Sequence, residues 1–570
     1  MTALNILSVG GFLLFVGLAA RHLVAALSQR GVADRIHKIA LIGEILIVSV
    51  SGFLALIGCY APIYLLMASA LAYLVSRRIG PRYAYIEPKP PRVRRLDPEV
   101  ASRPDSWSSF AFVFVGTAAF MVLAWNVRND FFSSEKRMII GDDAAYHVPT
   151  VLNLERHRSL WFPLENYQID VPEIGVHGGN DARIFFPLNH ELLVALARFA
   201  SGPAVEFMRV INYLLMFHLI LVTYCLVKLV AESNATAWLI ALACFLLPVF
   251  QGRLLRGQIS VFGNLNNDLF VALLVLSGIY LAVEQWRDLE AGSSAPRSHP
   301  NTLLLGAIIL VAVGTKWYAA LYSVVLLILF ITPIVIYRCW RDHNAIKLTL
   351  TLCLVGVVTN GAAVRNLFYF GTLSGHFGPI KPFGFIMLSM GRSFVEIGEL
   401  VLWTAVTHGS GLTIVFPLFG IIQVLCHRRT IGCEQPTNPA TVARPQQVDL
   451  GVLLSLIGST ILILLFAIPQ PTSGINTDND RIVFGITIRY AMPAWVLAQC
   501  TVVNLRPLAR VGSQTSEVIV PMGVCLSVIS SLFMYFLPVH VAVLVALSLG
   551  AGVVGVISQR VRYERLRVQY

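Results

Sequence analysis

Residues 107–127 read WSSFAFVFVGTAAFMVLAWNV. No charge interrupts the run. At about 1.5 Å rise per residue, a helix of that length crosses the ~30 Å hydrocarbon core of a bilayer. The preceding loop, 77–106, carries Arg77, Arg78, Arg82, Lys89, Arg92, Arg94, Arg95 and Arg103 around Pro88, Pro90 and Pro91. A basic, proline-broken linker feeding an uncharged span is the pattern of a cytoplasmic loop before a transmembrane helix. Working outward, apolar runs recur near 4–26, 38–58, 60–76, 207–230, 235–250, 267–285, 301–314, 317–337, 346–363, 409–426, 450–468, 489–504, 517–536 and 538–558. Several are shorter than the ~20 residues of a straight span. The expected fold is an all-α polytopic membrane protein, a bundle of about 13–15 helices with a small external-loop platform.

Composition agrees. Of 570 residues, 13% are charged and 56% hydrophobic, where a globular chain has about 25% charged; mean hydropathy is +0.71. Such a chain is too apolar to be cytosolic, disordered or a nucleic-acid binder. The net charge of +12 is therefore read as positive-inside loop charge rather than as a nucleic-acid footprint. The loops at 77–106, 337–347 and 427–450 and the 560–567 tail are all cytoplasmic if the N-terminus lies outside and the C-terminus inside. The first run lacks a basic lead and a small-residue cleavage site, so it reads as a helix rather than a cleaved signal. The nine cysteines include no CxxC, which gives neither a disulfide framework nor a zinc motif.

That topology puts three long segments outside: 128–187, 364–408 and 469–488. The first is rich in aromatic residues and holds a helical stretch from Ala144 to about His157, with Val148, Val151 and Leu152 at helical spacing. It predicts an amphipathic platform on the membrane surface. Asp142 and Asp143 open that stretch. An acidic pair at a helix start can simply cap it and face its dipole. Alternatively, one carboxylate serves as a general base at the membrane–water boundary, taking a proton from a hydroxyl or amine.

Lys316, Arg365 and Arg489 fall at predicted outer helix ends. Each alone can snorkel to the interface. Together they suggest a phosphate clamp, with Arg binding phosphate oxygens bidentately and Lys supplying a point charge. Asn267 and Asp268 begin an outer helix, either as cap and first-turn acid or as sugar-hydroxyl contacts. His147 and His190 with Asp143 are a metal-ligand alternative that no HxxxH-like spacing supports. No cofactor is assigned on these grounds beyond a divalent metal ion left open.

The sequence Asp142-Asp143-Ala144-Ala145-Tyr146-His147-Val148-Pro149, followed by Trp161-Phe162-Pro163 and then Phe186-Pro187-Leu188-Asn189-His190-Glu191, resembles the first external loop of the GT-C superfamily. These are integral-membrane glycosyltransferases that use lipid-phosphate sugars. Gly314-Thr315-Lys316-Trp317-Tyr318 resembles the superfamily's Gly-x-x-Lys turn with one residue fewer between Gly and Lys, Arg365-Asn366 through Gly371 its Arg-Asn…Gly segment, and Arg489-Tyr490-Ala491-Met492-Pro493 its Arg-Tyr-x-x-Pro helix start. The resemblance spans roughly 107–505, and in general plan extends to core-galacturonosyltransferase and protein O-mannosyltransferase branches. Two features depart from it: the acids are Asp-Asp where many members have Asp-Glu, and three extra helices precede the core.

The resemblance implies three regions. Residues 1–106 hold extra helices and the basic linker, 107–505 the catalytic core with its first external loop at about 128–187, and 506–570 a C-terminal hairpin and basic tail. It implies an inverting transferase that takes a polyprenyl-phosphate sugar to a lipid, glycan or protein acceptor. In it Asp143 or Asp142 is the base; Lys316, Arg365 and Arg489 bind the donor phosphate; and Tyr146, His147, His190, Asn267, Asp268 and Tyr490 contact substrate. It also implies a bacterial inner membrane, with the site facing the periplasm or exterior. The rival class is a transporter or flippase of a lipid-linked or anionic substrate, which calls for repeats and for ionisable groups deep in the spans.

Overall fold

The computed structural model of the chain describes residues 2–25, 27, 31–79, 106–132, 147–162, 170–171, 176–177, 187–202, 205–231, 234–247, 250, 265, 267–290, 298–336, 345–373, 380–382, 393, 395–396, 399, 469–471, 489–503 and 516–535. The described residues are overwhelmingly helical. Three helices come first: α1 (Thr2–Val24), α2 (Val32–Leu56) and α3 (Pro62–Ile79). Then follow α4 (Ser106–Val127), which ends in a π-turn over Arg128–Phe132, the short α5 (Val148–His157) and α6 (Asn189–Ser201). The remainder are α7 (Val210–Lys228), α8 (Asn234–Phe245), α9 (Asp268–Glu290), α10 (Ser298–Val313), α11 (Ala319–Ile336), α12 (Ala345–Thr359), α13 (Gly361–Phe370), α14 (Met492–Cys500) and α15 (Ser516–Tyr535). Two antiparallel ladders complete the description, Asp170–Val171 with Val176–His177 and Ile380–Pro382 with Pro469–Pro471.

Among the described residues, five segments are long and apolar enough to cross a bilayer: Ala3–Val24, Val32–Leu56, Ser109–Phe132, Phe207–Lys228 and Asp268–Trp286. The chain is a polytopic α-helical membrane protein. Its helices alternate in direction. Gly11 meets Leu66 and Phe15 meets Tyr73, so α1 and α3 run parallel. Gly306 meets Leu352 and Gly314 meets Thr359, so α10 and α12 also run together. The α9 span is 89% buried while that of α1 is 33% buried, which makes α9 the centre of the bundle and α1 a flank.

Two helix boundaries depart from the sequence reading. The run expected to begin at residue 38 is a helix from Val32, because Asp34 and Lys38 lie buried inside the helix bundle instead of ending the helix. The outer loop expected from 364 is a helix up to Phe370. After Thr359 the chain bends by 71° and continues as α13, so Arg365 sits within a helix. Thr359 Oγ1 and Asn360 Nδ2 bond back to the carbonyls of Val355 and Gly356, the latter also accepting from Asn360 N at 3.0 Å, so the last turn of α12 is closed where the bend begins.

The surface platform is also revised. Val148, Val151 and Leu154 are buried, with Leu152 partly buried beside them, in a core shared by α1, the facing ends of α2 and α3, and α6. Its apolar face is thus covered by protein rather than by lipid. Each such side chain contributes about 1.5–3 kcal/mol by burial. The three leading helices form the base on which α5 and α6 rest. Arg158, the left-handed cap of α5, offers its carbonyl to the Tyr60 N–H at 2.8 Å, and Trp161 Nε1 donates to the Leu56 carbonyl at 2.6 Å.

Candidate functional site

One group of polar residues gathers at the end of the bundle where α2, α4, α10 and α12 finish and α3, α6, α7, α9 and α11 begin. Gly314 makes the approach possible: a Cβ there would strike the Thr359 carbonyl and the Asn189 side chain. The chain after α10 satisfies some of that helix's closing carbonyls, with Gly314 N donating to Leu310 O at 2.9 Å and Thr315 N to Ala312 O at 3.0 Å, and side chains of neighbouring helices add to this. Asn189 Nδ2 donates to Val311 O at 2.9 Å, Asn189 N to Gly314 O at 3.2 Å and Asn360 Nδ2 to Leu310 O at 3.3 Å. This ties α6, α10 and α12 into one layer and fixes where the next residues point.

Lys316 follows directly. Its Nζ lies 2.6 Å from Asp268 Oδ1, which also accepts from Tyr318 Oη at 2.8 Å. The ammonium stands 4.8 Å from the centroid of the Tyr490 ring, and Tyr318 and Tyr490 approach to 4.5 Å. Tyr322 Oη donates to the Tyr490 carbonyl. Lys316, expected as an open cation, is instead an ion pair framed by tyrosines, because the acid that starts α9 is packed against the end of α10. Asn267 takes the helix-start role: its carbonyl accepts from Val271 N at 3.2 Å, and its Nδ2 donates to Thr315 O at 3.3 Å. Asn267 and Asp268 are each 1% exposed, so both are interior polar groups of this end.

Beside them lies a cluster of imidazoles and one carboxylate. His147 Nδ1 donates to Glu191 Oε1 at 2.6 Å, and His190 Nδ1 lies 4.0 Å from the same oxygen. His190 Nε2 donates to Asn212 Oδ1 of α7 at 2.9 Å. Since a carbonyl oxygen can only accept, this bond fixes the tautomer and leaves a lone pair on Nδ1. His190 and Glu191 are fully buried. Burial, aided by His147 and Lys316, pulls the His190 imidazole down to about 4, against the opposing pulls of Glu191 and Asn212, so it is neutral at physiological pH. Burial alone would push the Glu191 carboxyl up, but the hydrogen bond from His147 and the nearby imidazoles outweigh it and the net shift is downward.

Arg365 is fully buried, bonds Asn366 Oδ1 at 3.2 Å and sets its guanidinium 5.1 Å from the centre of the Phe162 ring. Arg489 opens the short 3₁₀ turn Arg489–Ala491 that leads into α14. Asp142, Asp143 and Tyr146 lie outside the described residues. The structure therefore unites His147, His190, Asn267, Asp268, Lys316 and Tyr490 at one end of the bundle, and ties Arg365 to it through α13, Phe162 and the α5 platform.

Sequence reasoning gave Glu191 no role, although it stands next to His190; as a first-turn acid it reads as a helix-dipole partner. Asn212 hides inside an apolar run. Also missed was Asp130 in the π-turn after α4, which accepts from Tyr213 Oη at 2.6 Å and, through its carbonyl, from Arg209 at 3.0 Å.

A second polar chain runs within the bundle. Lys38 Nζ lies 2.9 Å from Asp34 Oδ1 and 2.9 Å from Glu284 Oε2. Tyr280 Oη donates to Asp34 Oδ1 at 2.8 Å, and the Tyr280 ring packs edge-on against His37. His37 Nδ1 is 2.9 Å from His218 Nε2, and His218 Nδ1 is 2.7 Å from Glu44 Oε1. Only pairing across α2, α7 and α9 makes such charges tolerable there, and that pairing is invisible in a linear reading. No family model, no curated protein and no solved structure matches this chain.

Proposed function

We propose that the chain is a GT-C-type membrane glycosyltransferase that moves a sugar from a polyprenyl-phosphate donor to an acceptor hydroxyl, with inversion. One observation carries the reading: polar and charged groups spread from His147 to Tyr490 meet at a single end of the bundle. That end is opposite the one where α3 terminates in Arg77 and Arg78. The positive-inside rule supports an outward-facing end, and the resemblance to GT-C enzymes supports the periplasmic side of a bacterial inner membrane. The site stays at the interface because a polyprenyl donor cannot leave the bilayer.

Asp143 stands four residues before His147, so their Cα atoms lie within about 14 Å. It, or Asp142, takes the proton of the acceptor hydroxyl as that oxygen attacks the anomeric carbon. The carbon–oxygen bond to phosphate breaks on the opposite side, and the polyprenyl phosphate leaves as an anion. Arg365 and Arg489 stabilise the developing charge, and losing one such group costs about 2–4 kcal/mol of barrier. Lys316 already faces Asp268, so it contributes less than an isolated cation. Tyr146, His147, His190, Asn267, Asp268 and Tyr490 shape the sugar and acceptor side. The acceptor is a lipid, glycan or protein.

A second reading, a transporter or flippase of a lipid-linked or anionic substrate, draws on the Glu44–His218–His37 and Asp34–Lys38–Glu284 groups within the spans. One experiment separates the two. The purified chain in nanodiscs or vesicles is given radiolabelled polyprenyl-phosphate sugar and candidate acceptors. Transfer predicts a new glycosidic product that Asp143→Asn abolishes while expression is unchanged. Label that crosses the bilayer without a new bond supports transport, and undiminished turnover in Asp143→Asn removes that carboxylate as the base.

A further inference from the structure

We propose that His147, His190 and Glu191 form a binding site for a divalent transition-metal ion of the zinc class. One ligand atom from each of the three lies within 4.8 Å of the others, and all three residues are buried. Ligands around a tetrahedral zinc at about 2.0–2.2 Å stand roughly 3.4 Å apart. The separations here, 2.6 Å from His147 to Glu191 and 4.0 Å from His190 to Glu191, bracket that value. Small side-chain rotations reach it.

Two further observations point at the same position. Among the described residues, His190 Nδ1 and Glu191 Oε2 are buried with no hydrogen-bond partner. Leaving such atoms unmatched costs free energy, and a metal ion is a group that would satisfy both. The hydrogen bond from His190 Nε2 to Asn212 is the orienting contact that metal-bound histidines commonly make: it holds the lone pair of the other nitrogen toward the cluster. On binding, the proton between His147 and Glu191 moves to His147 Nε2, so the ring stays neutral and no charge is lost. Two imidazoles and a carboxylate favour zinc or cobalt over magnesium or calcium. Three protein ligands leave a fourth position open to water or an anionic oxygen, as in catalytic rather than structural sites.

The site rests on these residues alone and stands whether or not the chain transfers sugar. Its test is metal content. The full chain is purified in detergent on a histidine-free tag, stripped with chelator, reloaded with zinc, desalted and assayed by elemental analysis. The expected result is about one ion per chain in the wild type and near-background content in His190→Ala and Glu191→Gln. Asn212→Leu, which removes only the orienting contact, weakens affinity about tenfold or more. Cobalt replaces zinc as an optical probe: the wild type develops the visible bands of a low-coordinate nitrogen–oxygen site, which zinc abolishes. This arm decides the matter if a variant fails to reach the membrane. Wild-type chain that keeps no zinc and gives only the spectrum of aqueous cobalt overturns the proposal, as does zinc content unchanged by both ligand variants.

Discussion

Removing the Lys38 ammonium tests whether the interior charges are held by pairing. Its Nζ contacts both oxygens of Asp34, at 2.9 and 3.1 Å, and both of Glu284, at 3.0 and 2.9 Å, with Lys38 and Glu284 fully buried. With all three ionised, two carboxylates face one ammonium. Lys38→Met removes the ammonium that both acids share, and breaking a buried pair in this way costs about 3–5 kcal/mol. Glu284→Gln leaves the Asp34–Lys38 pair neutral and keeps an amide oxygen as acceptor, so it forfeits only part of a charged hydrogen bond, about 1–2 kcal/mol. The two substitutions are therefore separated by roughly 2 kcal/mol or more. Replacing all the charges at once, with Lys38→Met, Glu284→Leu and Asp34→Asn to keep an acceptor for Tyr280, returns stability near the starting value. The assay is unfolding in mixed micelles by titration with SDS, followed by helical signal. If Lys38→Met proves no more damaging than Glu284→Gln, or if the triple variant is worse than the single, the charges are not stabilised by one another and the reasoning fails.

Three other outcomes are expected. Gly314→Ala drives a methyl into the Thr359 carbonyl and the Asn189 amide, so it should destabilise by about 1–3 kcal/mol in the same titration and loosen the polar end, which proteolysis of the 147–202 region would report. Tyr60→Phe removes the bond to the Leu192 carbonyl at 2.9 Å but little volume, and should cost only about 0.5–1.5 kcal/mol; a larger loss would mean that Tyr60 anchors more than α6. Lys316→Met removes the ammonium that neutralises the buried Asp268 carboxylate, whereas Asp268→Asn leaves only the Lys316 charge, which is 16% exposed; melting temperatures of the two variants should therefore rank Lys316→Met lower, and the reverse order would refute the pair as described.

Much of the architecture was legible in the linear chain because membrane insertion is a local criterion. An uncharged run such as 107–127 must be a helix in lipid, since every backbone group needs a partner within the segment. The helix start at Asn267–Asp268 was readable for similar local reasons. The errors came where distant contacts outvoted local ones. Asp34 and Lys38 look like the end of a span until Glu284 and Tyr280, some 246 residues away, are packed against them. Val148, Val151 and Leu152 have the spacing of a helix lying on the membrane surface, and only α1–α3 and α6 show that protein covers that face.

The sequence by itself determined the membrane class, the helix-forming runs and which motifs hold ionisable groups, because hydrophobicity and capping depend on neighbours along the chain. The tertiary structure alone decided the partners. It set Glu191 between two histidines, closed Lys316 onto Asp268 and threaded a polar chain through α2, α7 and α9. A charge in a low-dielectric interior is governed by what lies within a few ångströms of it in space, and sequence separation carries no information about that distance.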